Sequence, residues 1–147
     1  MTNVSTYLNF PGTTEEAFNF YRSVFGGEFV GGINRFGDIP AEALAGMPPM
    51  TESDKKLVMH IQLDIMDGHA LMGTDASESM GQKVSMGNSV SISLHPDTRE
   101  EADRLFTSLS EGGAVIMPIQ DMFWGDYYGA FTDKFGISWM VNCSTKA

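Results

Sequence analysis

The sequence predicts an α+β fold: two tandem βαβββ modules that together form a concave, partly open mixed sheet. The first observation behind this is an internal echo. NFPGTTEEAFNFYRSVFGG (residues 9–27) returns in outline as LHPDTREEADRLFTSLSEGG (94–113). At one constant offset Pro11 becomes Pro96, Thr13 becomes Thr98, and Glu15-Glu16-Ala17 become Glu100-Glu101-Ala102. Phe20, Tyr21, Ser23 and Val24 become Leu105, Phe106, Ser108 and Leu109, and one extra residue, Glu111, brings Gly26-Gly27 onto Gly112-Gly113. The second observation is that alternating stretches follow each copy of this helix signal. The third is a segment of linker composition, TDASESMGQKVSMGN (about 74–88), between the copies. The chain of 147 residues is therefore read as one domain, with module one at about 1–80 and module two at about 89–147.

Residues 4–10 alternate and end at Pro11-Gly12, a strand entering a turn. Thr13 or Thr14 caps the helix that follows, with Glu15 and Glu16 in its first turn, where negative charge favours the helix start. Ala17, Phe18, Phe20, Tyr21, Val24 and Phe25 form its apolar stripe, and Gly26-Gly27 stops it. Residues 28–35 read as a second strand weakened by glycines. Residues 36–56, with Pro40, Pro48 and Pro49, read as a loop holding one helical turn near 41–45. Residues 57–65 put Leu57, Met59, Ile61, Leu63 and Ile65 on one face, and Val58, His60, Gln62 and Asp64 on the other. Asp67-Gly68 then turns the chain into a fourth strand, 69–73.

Module two repeats the plan. Residues 89–95 alternate, a helix runs from Arg99 to about Ser110, and strands are expected at 115–120, 127–132 and 137–142, the last pair joined through Lys134-Phe135-Gly136. Each helix covers one face of its small sheet. The other faces, side by side, would leave a polar cleft as the place for chemistry.

Composition excludes several classes of function. A net charge of −10 opposes binding to DNA or RNA, which needs a basic face, and docking to an anionic membrane. No basic, apolar leader opens the sequence, and no window reaches the ~18–20 apolar residues of a membrane span. The single cysteine, Cys143, forbids an internal disulfide and is read as inert, which makes a reducing, cytoplasmic setting the default.

Two such modules resemble the vicinal-oxygen-chelate superfamily of glyoxalase I, bleomycin-resistance proteins and extradiol dioxygenases. The closing stretch DMFWGDYYGAFTDKFG (121–136), followed by Ile137-Ser138-Trp139, is similar to the ending of its PhnB-like branch. Tyr7-Leu8, Glu15-Glu16-Ala17, Phe20-Tyr21 and Phe25-Gly26-Gly27-Glu28 match the opening of that branch, and Lys134 departs from it where proline is usual. The resemblance implies a glyoxalase-like fold and a homodimer, in keeping with apolar edge strands that need cover. It also implies a divalent metal held by one residue from the first and last strand of each module. Carried over by register, those positions are Thr6, Gly73, Ser91 and Met140. One residue along they are Tyr7, Met72 or Thr74, Ile92, and Trp139 or Val141. Neither set supplies the roughly three imidazole, thiolate or carboxylate ligands that a Zn, Fe or Ni site takes. No cofactor is expected on this reading, and a divalent metal is the alternative. The branch is often labelled a 3-demethylubiquinone-9 3-methyltransferase. Methyl transfer from S-adenosylmethionine, however, usually sits on a doubly wound sheet with a glycine-rich turn after its first strand, and here Gly26-Gly27 ends a helix.

His60, Gln62, Ser91, Trp124, Tyr128 and Met140 are the expected ligand contacts, with His60 the one candidate catalytic residue. A histidine near neutral pKa suits proton transfer as a general base but needs a partner; the other functional reading is a lone metal ligand joined by His95 or Asp64, and otherwise it lines the cleft as a hydrogen-bonded side chain. His95 is read as a rim residue and His69 as a surface residue. Trp124, Tyr127 and Tyr128 are core plugs or a binding platform, readings that stand level. Asp126 is read as a possible turn former and Asp133 as one outright. Eleven methionines, among them Met47, Met50, Met59, Met72, Met117, Met122 and Met140, fit an irregular core or an adaptable pocket. The expected function is metal-independent binding of a small, partly aromatic or apolar molecule. The alternative is a His60-dependent or metal-dependent enzyme of lyase, isomerase or dioxygenase type.

Overall fold

The computed structural model describes residues 2–46 and 49–144. Met47 and Pro48 of the irregular stretch lie outside the described residues. The chain divides into two compact units, 1–84 and 85–147.

In the first unit, β1 (Thr6–Phe10), α1 (Thr14–Phe25), β2 (Asn34–Arg35), α2 (Glu52–Lys56), β3 (Val58–Ile65) and β4 (His69–Asp75) give a four-stranded sheet in the order β1-β4-β3-β2. β1 pairs parallel with β4, and the other pairs are antiparallel. Ala17, Phe18, Tyr21 and Val24 of α1 bury their stripe on Phe10, Ile61, Leu63, Ile65 and Leu71. Each fully buried large side chain contributes about 1.5–3 kcal/mol. Phe18 sits edge-on to Tyr21, ring centres 5.6 Å apart.

In the second unit, β5 (Ile92–Leu94), α3 (Arg99–Ser110), β6 (Ala114–Asp121), β7 (Tyr127–Thr132) and β8 (Ser138–Cys143) repeat that topology in the order β5-β8-β7-β6. Ala102, Leu105, Phe106 and Leu109 cover Leu94, Phe131, Trp139, Val141 and Cys143. Cys143 is thus the buried last residue of β8 rather than a residue following it. β6 is an edge strand whose residues are exposed except for half-buried Ile119.

Several expectations change. The second strand shrinks to Asn34–Arg35 plus a single bridge from Phe29 to Leu63, because Gly31 and Gly32 take positive φ values of 74° and 73° that an extended strand does not allow. The alternation of β3 is interrupted: the register slips opposite Asn34 and Arg35, and Val58, expected on the polar face, is 1% exposed. Thr51-Glu52-Ser53-Asp54, read as loop, opens α2 with a reciprocal cap. The Asp54 N–H donates to Thr51 Oγ1 (3.0 Å), and the Thr51 N–H donates to an Asp54 carboxylate oxygen (3.2 Å). β4 runs two residues past Gly73 into the expected linker. β5 covers only the end of the alternating stretch 89–95, so Ser91 lies before the strand.

The two helix starts are held differently. Thr98 caps α3 through its own hydroxyl, which accepts from the Glu101 N–H at 3.1 Å. Thr13 makes no such bond. Asp75 at the end of β4 closes α1 instead: its Oδ1 accepts from the Thr14 N–H (3.0 Å) and hydroxyl (2.6 Å), and its Oδ2 accepts from the Val58 N–H (2.8 Å).

Candidate functional site

Each sheet has one face against its helix and one free of it. On the first sheet the pairing Tyr7↔Met72↔Gln62 sets three side chains in a row on the helix-free face. His60 joins them: its Nδ1 lies 3.3 Å from the Tyr7 hydroxyl, and the two rings stand 5.8 Å apart at 36°. Its Nε2 has no hydrogen-bond partner among the described residues, which leaves one imidazole nitrogen for a ligand. Gln62 shares the face and spends its amide on Asp64 (2.8 Å). His60 and Gln62 share one face as expected, and the histidine's hydrogen-bond partner is Tyr7.

On the second sheet the row is Ser93↔Met140↔Ala130, with Asn142↔Tyr128 beside it. Met140 and Tyr128 are half-buried there. Trp124 leans toward Tyr128 at 6.2 Å between ring centres, in a tight turn closed by Gly125 N–H to Met122 O (2.9 Å) and Met122 N–H to Asp126 O (2.8 Å). Both ends of this turn are fixed. Arg99 pairs with Asp121 and lies 4.2 Å over the Tyr127 ring, and Asn142 donates to Asp126 (3.1 Å). Phe123 at the tip is 97% exposed and Trp124 51%. The aromatic loop thus splits by function. Tyr127 faces the helix and donates to Asp103 (2.5 Å), a bond that raises its phenol pKa, whereas Trp124 and Tyr128 serve the free face. Ser91 is exposed ahead of β5 and stands outside the paired row.

The remaining residues take supporting roles. His95 bonds Ser93 (3.0 Å) and His69 bonds Thr6 (2.9 Å), both at exposed positions. Asp133 does form its turn, accepting from Phe135 N–H (2.8 Å) and Ile137 N–H (3.1 Å), and it also accepts from the buried Trp139 indole (2.8 Å).

The carried-over metal positions do not fit a metal. Thr6 and Gly73 lie on the helix side of their sheet: Thr6 bonds His69, and a Cβ on Gly73 would meet the Phe18 ring at 2.5 Å. Ser91 is outside the sheet, and Met140 offers a thioether, a ligand for soft metals alone. Among the described residues no three His, Cys, Asp or Glu side chains gather where they could hold one ion. Tyr7 enters the sequence reading as a shifted metal position and is not among the expected ligand contacts. The alternation of β1 separates it from Thr6, but only the pairing of β1 with β4 puts it near His60.

Residues 2–142 match a protein family described as 3-demethylubiquinone-9 3-methyltransferase. Among solved structures, the protein PA1353 from Pseudomonas aeruginosa is 36% identical, with a TM-score of 0.83 over 99% of this chain and 100% of that one. A putative 3-demethylubiquinone-9 3-methyltransferase, PhnB protein, from Bacillus cereus is 27% identical, with a TM-score of 0.74 over 97% and 99%. A glyoxalase/bleomycin resistance protein/dioxygenase family enzyme from Burkholderia phytofirmans shares the fold alone, with 15% identity and a TM-score of 0.60 over 95% and 98%.

Proposed function

The chain belongs to the PhnB-like family described as 3-demethylubiquinone-9 3-methyltransferase, of the glyoxalase/bleomycin-resistance/dioxygenase superfamily, and we propose that it binds a small, partly aromatic or apolar molecule without a metal. The observation that carries this reading is the side-chain set on the helix-free faces. Tyr7, His60, Gln62 and Met72 on one sheet, and Trp124, Tyr128 and Met140 on the other, offer aromatic and thioether surface with few polar tips. Such surfaces hold apolar bodies and orient them through a few hydrogen bonds. The donor set at the superfamily's metal positions argues in the same direction, since it lacks imidazole and carboxylate.

The protein acts as a homodimer in a reducing, cytoplasmic setting. Support for the dimer comes from β6: Val115, Ile116 and Met117 are 49%, 69% and 36% exposed, and residues 112–120 carry no charge in a chain of net charge −10. An apolar, uncharged edge strand is suited to a second copy of itself. Light scattering reads the mass, and Ile116→Glu is expected to shift it to the monomer. Among the described residues no helix is long and apolar enough to cross a membrane.

One observation favours a second reading. The Tyr7 hydroxyl beside His60 Nδ1, with Nε2 open, is the arrangement of an oriented base, and a lyase or isomerase step would use it. Elemental analysis of protein purified without chelator or tag, beside a His60→Ala variant, separates the readings. Stoichiometric metal that disappears in the variant overturns metal-free binding. Thermal-shift screening for small aromatic ligands, followed by fluorescence of exposed Trp124, should then find binders that Tyr128→Ala weakens.

A further inference from the structure

A cavity of about 380 Å³ opens in the first unit and shares no lining residue with the Tyr7–His60 face. It lies beyond the point where the parallel strands β1 and β4 both end and β3 begins: Pro11 follows β1, Ala76 follows β4 and Leu57 precedes β3. The crevice outside the carboxyl ends of adjacent parallel strands is where open sheets commonly hold ligands, and the volume is within the range of small-molecule sites.

The outer wall is the segment 77–84, and it is braced. Asp54 of α2 accepts from the Ser79 hydroxyl at 2.9 and 3.1 Å and from the Ser77 hydroxyl at 3.4 Å. The Ser77 carbonyl accepts from the N–H groups of Met80 and Gln82, and Gly81, at φ +83°, turns the chain back. The chemistry of the cavity has two parts. Pro11, Leu57, Ala76 and Val84 give an apolar floor, whereas Glu78, Gln82 and Lys83 have side chains with no hydrogen bond or ion pair among the described residues. Glu78 and Lys83 are exposed at its rim and not paired with each other, so one carboxylate and one ammonium stand at the mouth of the same cavity. A lone anion is poorly matched, because Asp75 already occupies the start of α1 and adds negative charge nearby. A lone cation would face Lys83. A molecule carrying both charges on an apolar body satisfies every free group.

We propose that this cavity binds a small zwitterion of the free α-amino acid class, its ammonium on Glu78, its carboxylate on Lys83 and Gln82, and its side chain on Leu57 and Val84. This assignment is independent of the reading of the helix-free faces.

The test is calorimetry on the full-length protein with L-leucine and L-phenylalanine as probes, and N-acetyl-L-phenylalanine amide as the uncharged control. Saturable binding of an amino acid and none of the control is expected. Glu78→Gln and Lys83→Gln should each weaken it roughly tenfold, the ordinary effect of losing one charged hydrogen bond. Ala76→Trp should fill the cavity and abolish binding, and His60→Ala should leave it unchanged. Absence of saturable binding, binding that survives Ala76→Trp in a folded protein, or equal binding of the control overturns the proposal. If Ala76→Trp does not fold, the two exposed charge variants decide: unchanged affinity in both overturns it.

Discussion

Asp75 and Thr14, distant in sequence, meet through two hydrogen bonds, from the Thr14 N–H at 3.0 Å and its hydroxyl at 2.6 Å, in a site where both residues are buried. The other carboxylate oxygen holds the first N–H of β3. One side chain therefore joins the start of α1, the end of β4 and the start of β3.

Asp75→Ala leaves the N–H groups of Thr14 and Val58 buried without partners. A loss of about 2–4 kcal/mol is expected from the cost of these two orphaned backbone donors, the Thr14 hydroxyl being the third group that loses its partner. Urea unfolding followed by tryptophan fluorescence measures it, and a loss below the reach of that method would contradict the bridging role.

Gly73→Ala tests the close approach of α1 to β4. The new methyl would stand 2.5 Å from Phe18 Cε1 and 3.2 Å from Thr14 Cγ2. Overpacking of this kind costs about 1–3 kcal/mol. Shortening the obstacle with Phe18→Leu in the same chain should recover part of that loss in a double-mutant cycle.

Asp54 sets part of the acid response. Hydrogen bonds from Ser79, then from the Thr51 backbone, hold its carboxyl below the ordinary 3.8. A lowered folded pKa means that this contribution is complete above the ordinary value and lost as pH falls through the folded one. Stability of the wild type should drop below about pH 4, and Asp54→Asn should be weaker at pH 7 and flatter in acid. Urea midpoints across that pH range give the comparison.

Tyr127 sets the alkaline side. Its hydrogen bond to Asp103, followed by burial, raises the phenol above the ordinary 10.0. Stability from this group is complete below the ordinary value and falls as pH rises through the folded one. Tyr127→Phe should flatten the stability profile above pH 10, as urea midpoints across that range would show.

Local signals were the legible ones. Thr98, the acidic first turn and Gly112-Gly113 mark α3 within a short stretch, and the bounds of β7 are legible to the residue because its neighbours turn at Gly125 and Gly136. A capping signal at Thr51 and Asp54 was also in plain view, but five residues among prolines did not read as a helix. Non-local pairing was beyond reach. Nothing near Tyr7 announces His60, and nothing near Thr14 announces Asp75; both contacts exist because β1 lies parallel to β4. The same pairing turns Gly73 toward Phe18, so of the two registers considered for the first module, Thr6 and Gly73 fall on the helix side whereas Tyr7 and Met72 fall on the free face.

The unequal helix starts bear on the order in which the chain can acquire structure. α3 owns its cap, so it can be completed as soon as residues 98–110 exist. α1 lacks a side-chain cap of its own and borrows one from Asp75. During synthesis it must wait on about fifty further residues after its own last one, which is a loop-closure cost that α3 never meets. Of two modules with one blueprint, only the earlier-made one needs a residue from beyond its helix to close that helix's first turn.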